Sequence, residues 1–397
     1  MKIIYIVCIT GVYMLMIMGT RPTVSLFAHD LGGSINQIGV ITSLFSIFPL
    51  IFAIILGKIV DQLNSKVTLL AGGYLGVLGI IMPSFLPNFY GLYLSQLIAG
   101  SAQTIFMLSA QDYVGRISTS KNRNQFVSWL SLGIAAGTLL GPLFSGIIAD
   151  YFDFPKTFMV LAIVGLLNCI FIHFIPNEYP VKKKIHSNSS PANKTTFLDL
   201  LKIPGLRVAL LFSSLILFAK DLYITFFPLL GVHFGYSNST IGLLLAINGI
   251  ASVIIRFSLS PLIARFGSIH VFIGSMIVTC VTYLALPFFS QIVIAGIIAF
   301  ILGIGLGIGQ PLSISLTIDN ALKGRVAEAL GIRLTVNRLT QVTTPIVFGA
   351  VANVIGLIYI FIISSTVVAI GTGIASKING GSKSKVSGVR PTGLARK

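Results

Sequence analysis

The 397-residue sequence is 55% hydrophobic and only 9% charged. Apolar runs long enough to cross a bilayer recur along it, which excludes a soluble globular domain and defines a polytopic membrane protein. A net charge of +17 would suit a nucleic-acid partner, but the basic residues gather between apolar runs, where they set topology instead.

A hydrocarbon core of roughly 30 Å needs about 20 apolar residues of helix. On that measure twelve spanning helices are expected, over 3–28, 36–57, 67–87, 89–112, 126–149, 155–176, 207–231, 239–263, 269–289, 292–318, 328–352 and 355–376. The first run has little charge ahead of it and no small-residue cleavage site behind it, so it is read as a retained helix. With the N-terminus inside, Lys156 is the one basic residue of 27 assigned to the outer side. That distribution puts both termini in the cytoplasm of a multi-pass protein of the cell membrane. Cys8, Cys169 and Cys280 fall in three different runs with no paired spacing, so neither a disulfide framework nor a metal site is expected.

The apolar pattern stops between Asn177 and Pro204, where a charged, Ser- and Pro-containing stretch reads as an exposed linker. The domain reading is therefore an N-terminal six-helix bundle over 1–176, a cytoplasmic linker over 177–206, a C-terminal six-helix bundle over 207–376 and a disordered basic tail over 377–397. Sliding the second half onto the first by 203 residues pairs Gly39 with Gly242, Gly100 with Gly303, Pro142 with Pro345 and Gly146 with Gly349. Those coincidences predict an internal duplication of like topology, with a substrate site between the halves near the midplane.

After the second apolar run stands Gly57-Lys-Ile-Val-Asp61-Gln-Leu-Asn-Ser-Lys66. It resembles the loop signature of the major facilitator superfamily, although Gln62 and Asn64 replace a usual basic residue and a second glycine. The resemblance makes Gly57, Asp61 and Lys66 gating candidates, with Gly57 allowing close helix approach and Asp61 docking on a helix N-terminus when the inner side closes. The counterpart Ser260–Gly267 lacks the acid. The fifth run, Gly133-Ile-Ala-Ala-Gly137-Thr-Leu-Leu-Gly141-Pro142-Leu-Phe-Ser-Gly146, is similar to the antiporter motif of exporters in that superfamily. Gly137, Gly141, Pro142 and Gly146 join the gating candidates: glycines four apart make a smooth packing face and proline can bend the helix. In the family this helix packs at the seam between halves and accompanies proton-exchanging export. The fold so implied is all-α, two pseudo-symmetric six-helix bundles.

Gln96 stands where many such exporters carry an arginine, which puts the usual proton relay in doubt. Gly303-Ile-Gly305-Leu-Gly307-Ile-Gly309-Gln310-Pro311 suits a thin, bendable helix beside a cavity, with Gln310 free for substrate. No Walker-type run occurs, so neither ATP nor any other cofactor is expected.

Ionisable groups inside a bilayer are costly and usually face a bundle interior. Here they are Arg21, Lys220, Asp221, Arg256 and Arg338, with Arg333 shallow enough either to snorkel or to face inward. Asp221 is thus one acid among several cations. Its counterpart at the 203-residue offset is Met18, a turn from Arg21, which makes Arg21 the first candidate partner and Arg338 or Arg256 the others. Two readings follow, a fixed ion pair that selects the packing, or cations awaiting an anionic solute with Asp221 as proton carrier. Asn337 and Gln341 add polar lining, giving Arg21, Lys220, Arg256, Gln310, Arg338, Asn337 and Gln96 as substrate-binding candidates. His29, Asp30 and His233 lie at outer helix ends, either as solvated loop residues or as an exit-side proton or metal site, and Tyr13, Met14, Met16 and Met18 read as core.

The expected function is a monomeric secondary transporter exporting a small anionic or zwitterionic metabolite, such as a metal-chelating carboxylate compound, in exchange for protons. Alternatives are multidrug efflux, an importing organic-anion symporter or uniporter, and a non-transporting sensor on a transporter fold. An enzyme is not expected, because no nucleophile, base and orienting group share one frame.

Overall fold

The computed structural model describes residues 2–119, 122–176, 203–322 and 325–387. Among them are fourteen α-helices, a single 3-10 turn over Leu286–Phe288 and no strand. The first half holds α1 (Lys2–Asp30), α2 (Ile35–Gln62), α3 (Ser65–Phe85), α4 (Phe89–Ile117), α5 (Arg123–Tyr151) and α6 (Phe154–His173). The second holds α7 (Pro204–His233), α8 (Asn238–Phe257), α9 (Leu259–Phe266), α10 (Ser268–Ala285), α11 (Ile292–Gly307), α12 (Gly309–Asp319), α13 (Val326–Ile355) and α14 (Leu357–Ser387). The expected linker residues 177–202 and the last part of the expected tail, 388–397, lie outside the described residues, and α14 runs on through the first part of that tail.

Two of the twelve expected spans are each split in two. The span expected over 239–263 ends at Phe257 and turns at Ser258 into the short α9. The span expected over 292–318 is interrupted at Ile308, between α11 and α12. Pro311 explains the second break: it has no N–H to donate to the carbonyl four residues back, at Gly307. Ten spans are apolar and long enough to cross a membrane among the described residues. The helices α4 and α13 match them in length but carry polar side chains along their inner faces, including buried Ser95, Gln96, Ser101 and Thr104 on one and Arg333 and Asn337 on the other.

We call the end bearing the start of α1 the terminal side and the opposite end the far side. On the far side the duplication extends to details beyond the glycines and prolines that first indicated it. The α1–α2 and α7–α8 turns each hold a glycine with positive φ, Gly32 at 79° and Gly235 at 76°, a conformation that only glycine adopts cheaply. Two residues on, Ser34 and Ser237 cap α2 and α8 by accepting from the backbone N–H of Gln37 and Thr240. Lys156 is used locally: it donates to the α6 cap residue Asp153 through both its backbone N–H and Nζ, each at 2.8 Å. Those bonds hold the exposed Asp153 carboxyl below its ordinary range.

Within the first half α1 packs on α4, α5 and α6, and α3 on α4 and α6; within the second, α7 packs on α12, α13 and α14, and α8 on α11. The halves meet along α2–α13, α5–α8 and α1–α7. A glycine-mediated approach recurs at each of the first two. A side chain on Gly39 would collide with the Pro345 carbonyl, and one on Gly242 with the Pro142 carbonyl. Likewise one on Gly349 would meet Ile35 and Asn36, and one on Gly146 would meet Asn238 and Ser239. Every residue in the second pair of each comparison is the 203-residue counterpart of one in the first, so the two seams are copies of each other.

The expected gating glycines divide accordingly. Gly137 and Gly141 do not reach the seam; they pack inside the first half, against Gly11, Met14, Leu15 and Gly19 of α1. Pro142 and Gly146 do form the seam with α8. The stretch from Gly57 to Asp61 is the last turns of α2, because that helix continues to Gln62, past the expected end at 57. A Cβ on Gly57 would meet nothing within 4 Å, so the close approach expected there is not made in this conformation. The Asp61 side chain lies outside the described residues, and Lys66 donates to the His173 carbonyl at 2.6 Å, tying α3 to α6 within its own half.

Candidate functional site

The seam at mid-height gathers the charges. The residues from α1, α7, α13 and α2 come together because each of these helices presents one polar stripe inward. Asp221 of α7 is 5% exposed and pairs with Arg21 of α1, Nη2 to Oδ1 at 3.7 Å. That is an ion pair too long to be a hydrogen bond. The second carboxylate oxygen, Oδ2, is sealed from solvent and has no hydrogen-bond partner. Arg21 also lies over the Phe45 ring of α2 at 4.6 Å, a favourable use of a cation in a low-dielectric setting. Among the sequence candidates, Arg21 is therefore the partner of Asp221.

Two further cations lie within electrostatic reach of Asp221, Lys220 and Arg338. Half-buried Lys220 has no hydrogen bond or ion pair among the described residues. Arg338 donates Nη1 to Gln341 Oε1 at 3.1 Å, and the same oxygen receives Ser46 Oγ of α2 at 3.5 Å. Gln341 thus links the halves and orients the arginine without neutralising it. Three cations share one carboxylate here, and only Arg21 touches it.

Four residues from three helices extend this lining toward the terminal side. Ser213 of α7 donates to Asn337 Oδ1 at 2.7 Å, Ser313 of α12 approaches Ser213 at 3.5 Å, and Arg333 donates Nε to Ser313 at 3.3 Å. Arg333 is 5% exposed, so it faces inward and does not snorkel. Its burial was not legible from its position in the chain, which allowed both.

Arg256 departs from the sequence expectation. Since α8 ends at Phe257, Arg256 occupies the last turn and its side chain is exposed, where the unbroken helix predicted two turns of depth. It donates Nε to the Gly307 carbonyl at 3.3 Å, the acceptor that Pro311 leaves without its helical donor. It completes a ladder in which Asn248 and Ser252 donate to the carbonyls of Ala299 and Gly303 at 3.1 and 2.9 Å. Four-residue steps on α8 match four-residue steps on α11, and Gly303 and Gly307 let the backbones approach. Arg256 is thus used in packing; it lies within electrostatic reach of Lys220 but has no bond to the Asp221 group among the described residues.

Gln96 is fully buried in α4 with neither amide atom hydrogen-bonded, so no hydrogen bond joins it to the seam charges among the described residues. Gln310 is half-buried at the start of α12, where its carbonyl receives Ser313 Oγ at 3.0 Å. Tyr13 stacks on Phe106 with centroids 3.6 Å apart, and Met14 and Met16 are buried, all in the core as expected. His29 and Asp30 are exposed, and no group of three metal-ligating side chains occurs among the described residues.

Two bundles of repeated topology, closed on one side and holding unneutralised charge at their seam, define a secondary transporter of the membrane. The Major Facilitator Superfamily model matches residues 6–237 and 209–390, and the chain belongs to that family. It is 25% identical over 318 residues to Multidrug resistance protein 2 of Bacillus subtilis (strain 168), covering 76% of each chain. It is 24% identical over 344 residues to the Multi-drug resistance efflux pump PmrA homolog of Lactococcus lactis subsp. lactis (strain IL1403), covering 84% of each. In fold it is similar to the nucleoside transporter NupG, with a TM-score of 0.78 at 14% identity, covering 95% of this chain and 98% of that one. A bacterial homolog of the human lysosomal transporter Spinster, in an inward-facing and occupied conformation, gives a TM-score of 0.76 at 14% identity, over 95% of each chain.

Proposed function

We propose that this chain exports a small anionic or zwitterionic solute in exchange for protons, with Asp221 as the proton carrier. The observation that carries the reading is the state of that carboxylate: buried, 3.7 Å from its one ion-pair partner among the described residues, and with Oδ2 unpaired. A buried carboxylate without hydrogen bonds is costly as an anion and is relieved by taking up a proton. Protonation would release Arg21 and leave Arg21, Lys220 and Arg338 to bind carboxylate or phosphate groups of the solute. Metal-chelating metabolites rich in carboxylates fit that charge. The far-side seam would be the outer gate, so that the closed far side corresponds to an inward-open conformer with cytoplasmic termini, as the placement of the basic residues favours. Gln96 and Gln310 are the neutral polar candidates for solute contacts, and the chain works as a monomer.

A second reading, multidrug efflux, is favoured by the names of the two bacterial relatives. Everted vesicles holding a pH gradient, acid inside, separate the two. Tricarboxylates such as citrate should collapse the gradient in the wild type and fail to do so in Asp221→Asn. Collapse by lipophilic cations and not by carboxylates would replace the anion reading with the multidrug one. A normal response in Asp221→Asn would remove Asp221 from coupling under either.

A further inference from the structure

The sequence candidates for substrate contact omit Arg333, yet its surroundings have the composition of an anion site. Arginine has five N–H donors and asparagine two. Among the described residues only Nε of the Arg333 donors is engaged, by Ser313 Oγ at 3.3 Å. Asn337, one turn along the same face of α13, uses its Oδ1 to accept from Ser213 at 2.7 Å, and its amide N–H groups have no partner among the described residues. The neighbouring hydroxyls are themselves committed as donors, Ser313 to the Gln310 carbonyl and Ser213 to Asn337. No carboxylate pairs with Arg333 among the described residues, although it is 5% exposed. Neither its terminal nitrogens nor the Asn337 nitrogen is among the polar atoms that are both sealed and unpaired. The cluster therefore presents unused N–H donors, one formal positive charge and no free carboxylate.

We propose that Arg333 and Asn337 form a second oxyanion subsite for the transported solute, on the terminal side of the Asp221 group. Ser213 and Asp221 lie on one face of α7, eight residues and roughly 12 Å apart at 1.5 Å per residue. That separation exceeds a single carboxylate or phosphate, so the subsite is a station distinct from the central one. The planar guanidinium fork takes two oxygens of one carboxylate or phosphate, and the Asn337 amide takes a third contact from the side. An anion entering from the terminal side would meet Arg333 first and then pass to Arg21, Lys220 and Arg338. Assigning the subsite to the transported solute rests on the reading of the chain as an anion exporter; the binding of an oxyanion at Arg333 does not.

The test is binding of inorganic phosphate to the full-length protein in lipid nanodiscs, followed by calorimetry and by thermal shift at constant ionic strength balanced with chloride. Arg333→Gln should weaken phosphate at least tenfold, and Arg333→Lys, which keeps charge but loses the fork, by about threefold. Asn337→Ala leaves the arginine and its serine in place and should weaken binding severalfold, which covers the case in which Arg333→Gln fails to fold. Phosphate binding unchanged in both Arg333→Gln and Asn337→Ala, or no binding to the wild type, would overturn the subsite. Loss of binding in Arg338→Gln with none in Arg333→Gln would overturn it while leaving the central reading intact. Loss in Arg333→Gln together with normal gradient-driven transport in Asp221→Asn would uphold the subsite and sink the proton role instead.

Discussion

Gly39 and Gly242 stand 203 residues apart, and each brings its helix onto the carbonyl of a proline that is likewise 203 residues from its counterpart: Gly39 onto Pro345, Gly242 onto Pro142. One closure is thus made twice, α2 on α13 and α8 on α5. Neither glycine tolerates a Cβ here without displacing backbone, so closure of the far side depends on both remaining glycine.

A larger residue at either glycine should therefore open that side. Overpacking a close contact costs about 1–3 kcal/mol, enough to shift a closed-to-open ratio roughly 5- to 150-fold. Spin labels at Tyr151 and Leu243, both exposed on the ends of α5 and α8, would report it: Gly242→Val should lengthen the main distance or add a longer population. An unchanged distribution would mean that the glycine approach does not hold the gate.

The two seams differ at their far-side ends. On α5 the carboxylate of Asp150 accepts from the backbone N–H of Asn238 and of Ser239, each at 2.8 Å. A negative group at the first turn of α8 is favoured both by those unpaired donors and by the helix dipole. The counterpart of Asp150 on α13 is Asn353, which is exposed. Asp150→Asn should loosen the closed seam by about 1 kcal/mol, visible as a larger open population with the same labels, whereas Asn353→Ala should leave it alone. Equal effects from the two would show that the charge is not what distinguishes the seams.

Much of this arrangement was legible in the sequence because hydropathy marks spans and because a duplication at fixed offset constrains both halves. The spans, the duplicated glycines and prolines, and the Arg21 partner of Asp221 all follow from those two facts. The offset also relates Gly32 to Gly235 and Ser34 to Ser237, a repeated turn and cap that carry little signal along the chain because turn residues are common in any loop. What was not legible depends on neighbours from other helices. Glycines four apart announce a packing face, but nothing along the chain says that Gly137 and Gly141 face α1 while Gly146 faces α8. Arg333 and Arg256 carry the same charge at similar predicted depth, and only the ends of α8 and α13 and their partners distinguish an exposed cap from a buried cation.

Arg256, Gly307 and Pro311 form a testable triangle. Arg256→Met keeps the length of the side chain but removes the donor that satisfies the Gly307 carbonyl, and a hydrogen bond from a charged donor contributes about 1.5–3 kcal/mol. The thermal midpoint of the purified protein should fall by a few degrees. Pro311→Ala restores a backbone N–H that can reach the same carbonyl within the helix. In that background Arg256→Met should cost less, with a coupling of about 1 kcal/mol in the double-mutant cycle. Strict additivity would show that Arg256 acts elsewhere than on the α11–α12 break.

The Arg21–Asp221 pair admits a stability test independent of transport. Removing one partner of a buried pair leaves an uncompensated charge and typically costs about 3–5 kcal/mol, more than removing both. Asp221 can escape that penalty by binding a proton, whereas Arg21 remains a cation held over Phe45 with Lys220 and Arg338 nearby. Arg21→Gln should therefore be strongly destabilising at alkaline pH, where Asp221 is driven toward its anion, and milder in acid. Sign and direction follow from the variant alone: acid supplies the proton that replaces the lost arginine. Thermal midpoints across pH would check this, with Arg21→Gln/Asp221→Asn as the flat reference. A destabilisation by Arg21→Gln that the second substitution does not relieve would mean that packing on Phe45, and not the ion pair, is what Arg21 contributes.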